Sequence, residues 1–163
     1  QGDTLVVDCG EPIPSPQLTI EDNCSSWSTT SAFVNTQGAC NGENTQTITY
    51  TVTDACGNAS SVTRAVRITD SQPPFPVQSP EDVVVLCGEP LPDDAPMFEE
   101  SCSVADVVLV ENTAMGDCAG ASVLTQMWTA TDACGNSTTV TRNVSIVDTL
   151  GPSILTNLEP VVV

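Results

Sequence analysis

Every cysteine in the first half of this chain recurs 78 residues later: Cys9, Cys24, Cys40 and Cys56 return as Cys87, Cys102, Cys118 and Cys134. The same gapless shift lays Cys9-Gly10-Glu11-Pro12 on Cys87-Gly88-Glu89-Pro90. It also lays Thr53-Asp54-Ala55-Cys56-Gly57-Asn58 on Thr131-Asp132-Ala133-Cys134-Gly135-Asn136. A period of this size means two tandem copies of one module, so whatever fold the sequence adopts must be built twice. Two periods fall seven residues short of the 163, and Glu159-Pro160-Val161-Val162-Val163 mirrors Glu81-Asp82-Val83-Val84-Val85. The expected organisation is residues 1–72 as the first module, 73–150 as the second, and 151–163 as a linker with the first strand of a third. Such a strand either opens a further module of a covalent array or is donated to a neighbouring subunit. The array fits better, because Cys87 follows the equivalent strand at once and each module then owns its first strand.

Within a copy the pattern has period two. Ile48, Tyr50 and Val52 alternate with Thr47, Thr49, Thr51 and Thr53, the mark of a half-buried strand. The turn Asp54-Ala55-Cys56-Gly57-Asn58 leads into a second strand with Val62, Val66 and Ile68 on its inner face, which makes a hairpin. The second copy repeats it with Leu124, Trp128 and Ala130, then Val140, Val144 and Ile146. Further strands are expected near Thr4 to Asp8, Gln17 to Glu21 and Ser28 to Asn35. Helix formers give way to Thr, Val, Ser, Gly and Pro throughout. The fold class is all-β, two tandem immunoglobulin-like β-sandwich modules with disulfides and the start of a third.

The cysteines are 15 or 16 residues apart within a copy, too far for two thiolates on one metal ion by a short spacing, and the chain has no histidine to complete a site. They read as a disulfide framework, which implies an oxidising, extracellular compartment. If five strands run up and down, Cys9 and Cys40 share one pole of the sandwich and Cys24 and Cys56 the other. A strand of about six residues spans roughly 20 Å while bridged Cα atoms lie within about 7 Å, so cross-pole pairing is excluded. The pairs expected are Cys9–Cys40 and Cys24–Cys56, then Cys87–Cys118 and Cys102–Cys134.

Twenty-one acidic residues face three basic ones, for a net charge of −18. Nucleic acid is a poor partner for such a surface, since binding it requires Lys and Arg to displace counterions. No apolar run approaches a membrane span, so membrane insertion is not expected. The absence of histidine removes the commonest general base, and nothing indicates a concave acid pair, so the chain does not read as an enzyme. No cofactor is expected. The recurring carboxylates Glu11, Asp54, Asp70 and Glu21 could attract Ca²⁺, but they match no dense ligand run, and turn capping by Asp54 with plain solubility explains them better. Arg64 and Arg142 occupy equivalent positions and are expected to pair with carboxylates on their own sheet.

The run Tyr50 to Asn58, its copy Trp128 to Asn136, and the closing Ile146-Val147-Asp148-Thr149-Leu150-Gly151-Pro152 resemble the hyalin-repeat-like, immunoglobulin-like tandem modules of long secreted or surface proteins of Bacteroidota. The resemblance implies sandwich modules in series serving as adhesin, stalk or extracellular fibre, whose partners are copies of themselves, and it brings no catalytic residues. The first linker departs from the pattern with Asp70-Ser71-Gln72. The resemblance further implies O-linked glycans at Asp-Ser/Thr-aliphatic sites, matched by Thr4 and Thr149, while Asn58, Asn136 and Asn143 fit the N-glycosylation pattern. The reading is a structural, extracellular cell-surface repeat protein. The alternative is a glycan-binding, lectin-like adhesion module, with Trp27 as ligand candidate because its counterpart is Ala105 and sugar rings stack on aromatic faces.

Overall fold

The computed structural model describes residues 4–23 and 26–154. It is all-β, the class that the sequence implies, with no helix among the described residues. The first copy supplies β1 (Leu5–Asp8), β2 (Trp27–Gln37), β3 (Asn44–Asp54) and β4 (Ala59–Thr69). The second supplies β5 (Phe75–Gln78), β6 (Val83–Leu86), β7 (Met97–Glu99), β8 (Asp106–Met115), β9 (Ser122–Thr131) and β10 (Ser137–Val147). One four-stranded sheet has the order β1-β4-β3-β2 and the other β6-β10-β9-β8, while β5 and β7 form a two-stranded ribbon. The first strand of each sheet runs parallel to its neighbour, with Leu5 opposite Val66 and Val83 opposite Val144. The second register is the first moved by 78 residues, so the duplication extends to backbone pairing.

The hairpin forms where the alternation of Ile48, Tyr50 and Val52 places it. At its turn the Asp54 carboxylate accepts the backbone N–H of Cys56 and of Asn58 and the side-chain amide of Asn58 at 2.8–2.9 Å. Gly57 closes the turn at φ +90°, a conformation with a steric cost for any residue with a Cβ. The bonds from Asn58 hold the Asp54 carboxyl below its ordinary pKa. The strand expected near Gln17 to Glu21 does not form, and this stretch is extended chain without a ladder. Pro12, Pro14 and Pro16 remove amide donors just ahead of it, and the Arg64 guanidinium holds the stretch instead through the Pro14 carbonyl at 2.7 Å. Its counterpart in the second copy does pair, as β7 on β5. The valines at 161–163, expected as the first strand of a third copy, lie outside the described residues.

The chain divides into two compact units: residues up to Ser79 with Pro96–Val108 and Trp128–Val140, and Pro80–Ala95 with Leu109–Met127 and everything from Thr141 on. In the first unit Ile48, Val66, Trp128 and Ala130 are buried. In the second, Leu124 and Val144 are buried beside two polar residues, Gln126 and Arg142. Arg142 donates from Nε and Nη2 to Gln126 Oε1, from Nη2 to the Pro92 carbonyl, and from Nη1 to Asp94 at 2.5 Å. Arg64 repeats the proline contact but has Ile48 where Arg142 has Gln126, and Pro16 where Arg142 has Asp94. Arg142→Ala therefore costs about 2–4 kcal/mol, by opening a void and stranding the Gln126 carbonyl, whereas Arg64→Ala costs about 1 kcal/mol. Chemical denaturation of the two variants checks the order.

Candidate functional site

The chemistry that distinguishes this chain gathers in the first unit, at the end of its sheet where β4 runs out into Asp70. Cys9 follows β1 and donates its backbone N–H to the Thr69 carbonyl at 2.7 Å. Cys40 lies in the turn between β2 and β3, and because Asn44 stands opposite Ile68 and Asp8 opposite Thr69, both cysteines reach the same pole. Strand parity predicts that co-location. It does not predict the partners. Cys9 is bridged to Cys102 and Cys40 to Cys134, with Cα separations of 5.8 and 5.1 Å.

The expected bridges Cys9–Cys40 and Cys102–Cys134 are thereby replaced by two that join the first copy to the second. Cys56, Cys87 and Cys118 carry exposed free thiols, so the expected Cys87–Cys118 bridge is absent and Cys56 has no bridge to Cys24. Cys24 itself lies outside the described residues. Parity assigns partners only if each copy closes on itself, and here it does not. The segments 96–108 and 128–140 of the second copy belong to the first unit, and they bring Cys102 and Cys134 to the pole that holds Cys9 and Cys40.

Around these bridges the packing is close and the charge is crowded. A Cβ added at Gly42 would meet Asp70 Oδ2 at 3.0 Å and Cys102 Cβ at 3.4 Å, so only glycine fits there without displacement. Asp70 is 6% exposed and neither of its carboxylate oxygens has a hydrogen-bond partner. Burial first, then the negative charges of Asp132, Glu100 and Asp8, push its pKa up; the Gln72 backbone N–H opposes this without completing a hydrogen bond. Asp132 is buried as well, which raises its pKa, but the Asn136 side chain and the backbone N–H groups of its turn outweigh that and leave it lowered. Asn136 ties this turn to the junction by donating to the Asp70 carbonyl at 3.1 Å. The departure of the first linker also finds its reason here. Ser71 and Gln72 both donate to the Asp8 carboxylate, at 2.8–3.1 Å, and lower its pKa, while the counterpart of Asp8 is Leu86.

Asp70, Glu100 and Cys102 offer ligand atoms within 4.8 Å of one another. The sulfur is spent in the bridge to Cys9. That leaves two carboxylates, against the roughly six to eight oxygens that Ca²⁺ gathers, so the residues present do not fit a calcium site.

The candidates for modification and ligand binding lie elsewhere. Trp27 is 47% exposed and lines an open groove of about 370 Å³ with Leu18, Tyr50, Val52 and Val62. Thr4 and Thr149 are exposed on extended chain. The amides of Asn58 and Asn136 are engaged by Asp54 and Asp132. Asn143 accepts from Thr125 and donates its backbone N–H to Asp82. No helix among the described residues is long and apolar enough to cross a membrane.

No family model matches the chain. Over 102 residues, 61% of the chain, it is 33% identical to the "Sushi, von Willebrand factor type A, EGF and pentraxin domain-containing protein 1" of Rattus norvegicus, and to that of Mus musculus to the same extent. The match spans 3% of the length of those curated relatives. Among solved structures, human mucin-like protocadherin EC1-2 aligns with a TM-score of 0.36 at 10% identity, over 90% of this chain and 96% of that one. Drosophila N-cadherin EC1-4 aligns with a TM-score of 0.35 at 12% identity, over 76% and 42%. Likeness at that level settles neither topology nor function.

Because the folded-state pKa of Asp70 lies above its unfolded value, the carboxyl favours folding at low pH and opposes it once pH rises through the carboxylate range. Asp70→Asn should therefore raise stability at pH 7, with the gain fading as the pH falls below the unfolded value. Thermal melts of both proteins at neutral and acid pH read this directly.

Proposed function

We propose that this chain is a structural part of an extracellular tandem-repeat protein, extending a cell-surface fibre, stalk or adhesin through length and stiffness, and that it is not a catalyst. The observation that carries the reading is the direction of the two disulfides. Both run from the first copy of the repeat to the second, so successive copies are tied by two sulfur bonds in addition to the peptide chain. Such bonds persist in oxidising compartments outside the cytosol, and the curated relatives carry a domain-array name consistent with that setting. The resemblance of Tyr50 to Asn58 and Trp128 to Asn136 to hyalin-repeat-like surface modules supports the same assignment. The chain offers no histidine and, among the described residues, no free donor set for a metal, while exposed Thr4 and Thr149 suit O-linked glycans of a surface glycoprotein. Electron microscopy of the native material should show filaments or extended stalks; isolated particles without extended forms would count against the reading.

A glycan-binding function is favoured by one feature, the half-exposed Trp27 in its groove. On a glycan array the structural reading predicts no specific retention of the chain. Retention that is lost in Trp27→Ala, with the melting temperature unchanged, would establish the lectin-like reading instead.

A further inference from the structure

A strand at the edge of a sheet presents a row of backbone N–H and C=O groups to any other strand that can reach it, and folded chains blunt such edges with proline, a bulge or an inward-pointing charge. β2 and β8 are the long edges of the two four-stranded sheets, each with one ladder neighbour among the described residues. Both are exposed along their whole length, β2 over 11 residues and β8 over 10. They occupy equivalent places in the duplication, yet their chemistry differs.

β8 carries Asp106 and Glu111. Glu111 reaches across its own sheet, where its carboxylate accepts from Gln126 Nε2 on β9 at 2.7 Å, and Gln126 in turn holds Arg142. A strand added outside β8 would have to cover that charge. The counterpart of Glu111 in the first copy is Phe33, and the counterpart of Gln126 is Ile48, which stands opposite Phe33 in the register. An apolar pair thus takes the place of the charged guard. Phe33 is 63% exposed, and Val34, on the other face of the strand, is 69% exposed. β2 has no charged residue, no proline and no glycine. Residues 23–42, which contain it, hold none of the 21 acidic and three basic residues of the chain.

We propose that β2 is a self-pairing edge: two copies of this chain join by laying β2 antiparallel on β2 about a two-fold axis, so that their two four-stranded sheets continue as one. The charge distribution selects this occupant. Two chains of net charge −18 repel wherever their acidic surfaces meet, and an uncharged strand about 35 Å long is where they can touch without bringing carboxylates together. A basic partner would be drawn to the acidic surface and would find nothing to pair with on β2. An antiparallel copy of the same strand supplies carbonyls to the edge N–H groups and N–H groups to the edge carbonyls. Because the pairing uses the same edge on both sides, it closes at two chains. The inference goes beyond the structural reading above. It adds a lateral contact between chains, and it concerns a strand inside the first copy, whatever adjoins the two copies in the chain.

Sedimentation of the full chain, with its thiols blocked so that no sulfur bond links copies, should show a monomer–dimer equilibrium that strengthens as salt screens the charge. Hydrogen exchange in peptides from β2 should slow as protein concentration rises, while peptides from β8 keep their rates. Phe33→Glu installs in β2 the residue that guards β8, and Thr30→Glu adds a charge to the strand without removing an apolar contact. Each should abolish the dimer and the added protection of β2, with the melting temperature of dilute Thr30→Glu equal to that of the unaltered chain. A monomer at every concentration and ionic strength would overturn the proposal. So would a dimer in which β2 exchange is unchanged, a dimer that persists in Thr30→Glu, or association that continues past two chains. Slow exchange at β2 that is independent of concentration would place a segment of the same chain on the edge and overturn it as well. Any of these failures alongside filamentous native material would remove the β2 pairing and leave the structural reading standing.

Discussion

Two sulfur–sulfur bonds set the conditions for the rest of the first unit. They close loops between residues 93 and 94 apart, and a loop of that size is worth about 4–5 kcal/mol in the chain-entropy model, with less for the second because the loops overlap. Small β modules with few buried side chains need such staples. Here β2 is exposed along its whole length and the buried hydrophobic set of the unit is short. The staples also explain how a liability is tolerated. Asp70 is buried beside other carboxylates with no hydrogen-bond partner for its oxygens, an arrangement that persists only where the surroundings leave it no escape.

The strands can be read from the sequence where a local rule governs them. Period-two alternation finds β3, the Asp54 and Gly57 turn finds the hairpin, and the 78-residue shift carries both into β9 and β10. The same-pole placement of Cys9 and Cys40 also follows from strand direction. Pairing does not, because direction says which end of a sheet a cysteine reaches and nothing about which copy faces it there. The strand expected at Gln17 to Glu21 does not form for a related reason: alternation takes no account of the three prolines ahead of it or of the Arg64 anchor. The Asp70 junction is not legible in the sequence at all. Its aspartate recurs, but burial arises from the second copy's segments and leaves no mark in the local sequence. The one available sign is the Ser71-Gln72 departure, which serves Asp8.

Equivalent residues in the two copies meet different surroundings. Asp132 is buried and Asp54 is partly open; Trp128 is core and Tyr50 lines a groove; Gln126 holds Arg142 where Ile48 fills the matching place. In an isolated globular module such asymmetry would be incidental. In this chain the second copy's segments 96–108 and 128–140 belong to the first unit, so their residues meet surroundings that the first copy's equivalents do not.

The central claim is that the disulfides cross between copies. Proteolysis of the oxidised monomer without reduction, with thiols blocked beforehand, followed by mass mapping of the linked peptides, tests it most directly. The account predicts Cys9 linked to Cys102 and Cys40 linked to Cys134, with Cys56, Cys87 and Cys118 recovered as blocked thiols. Linkage of Cys9 to Cys40 and of Cys102 to Cys134 would contradict it.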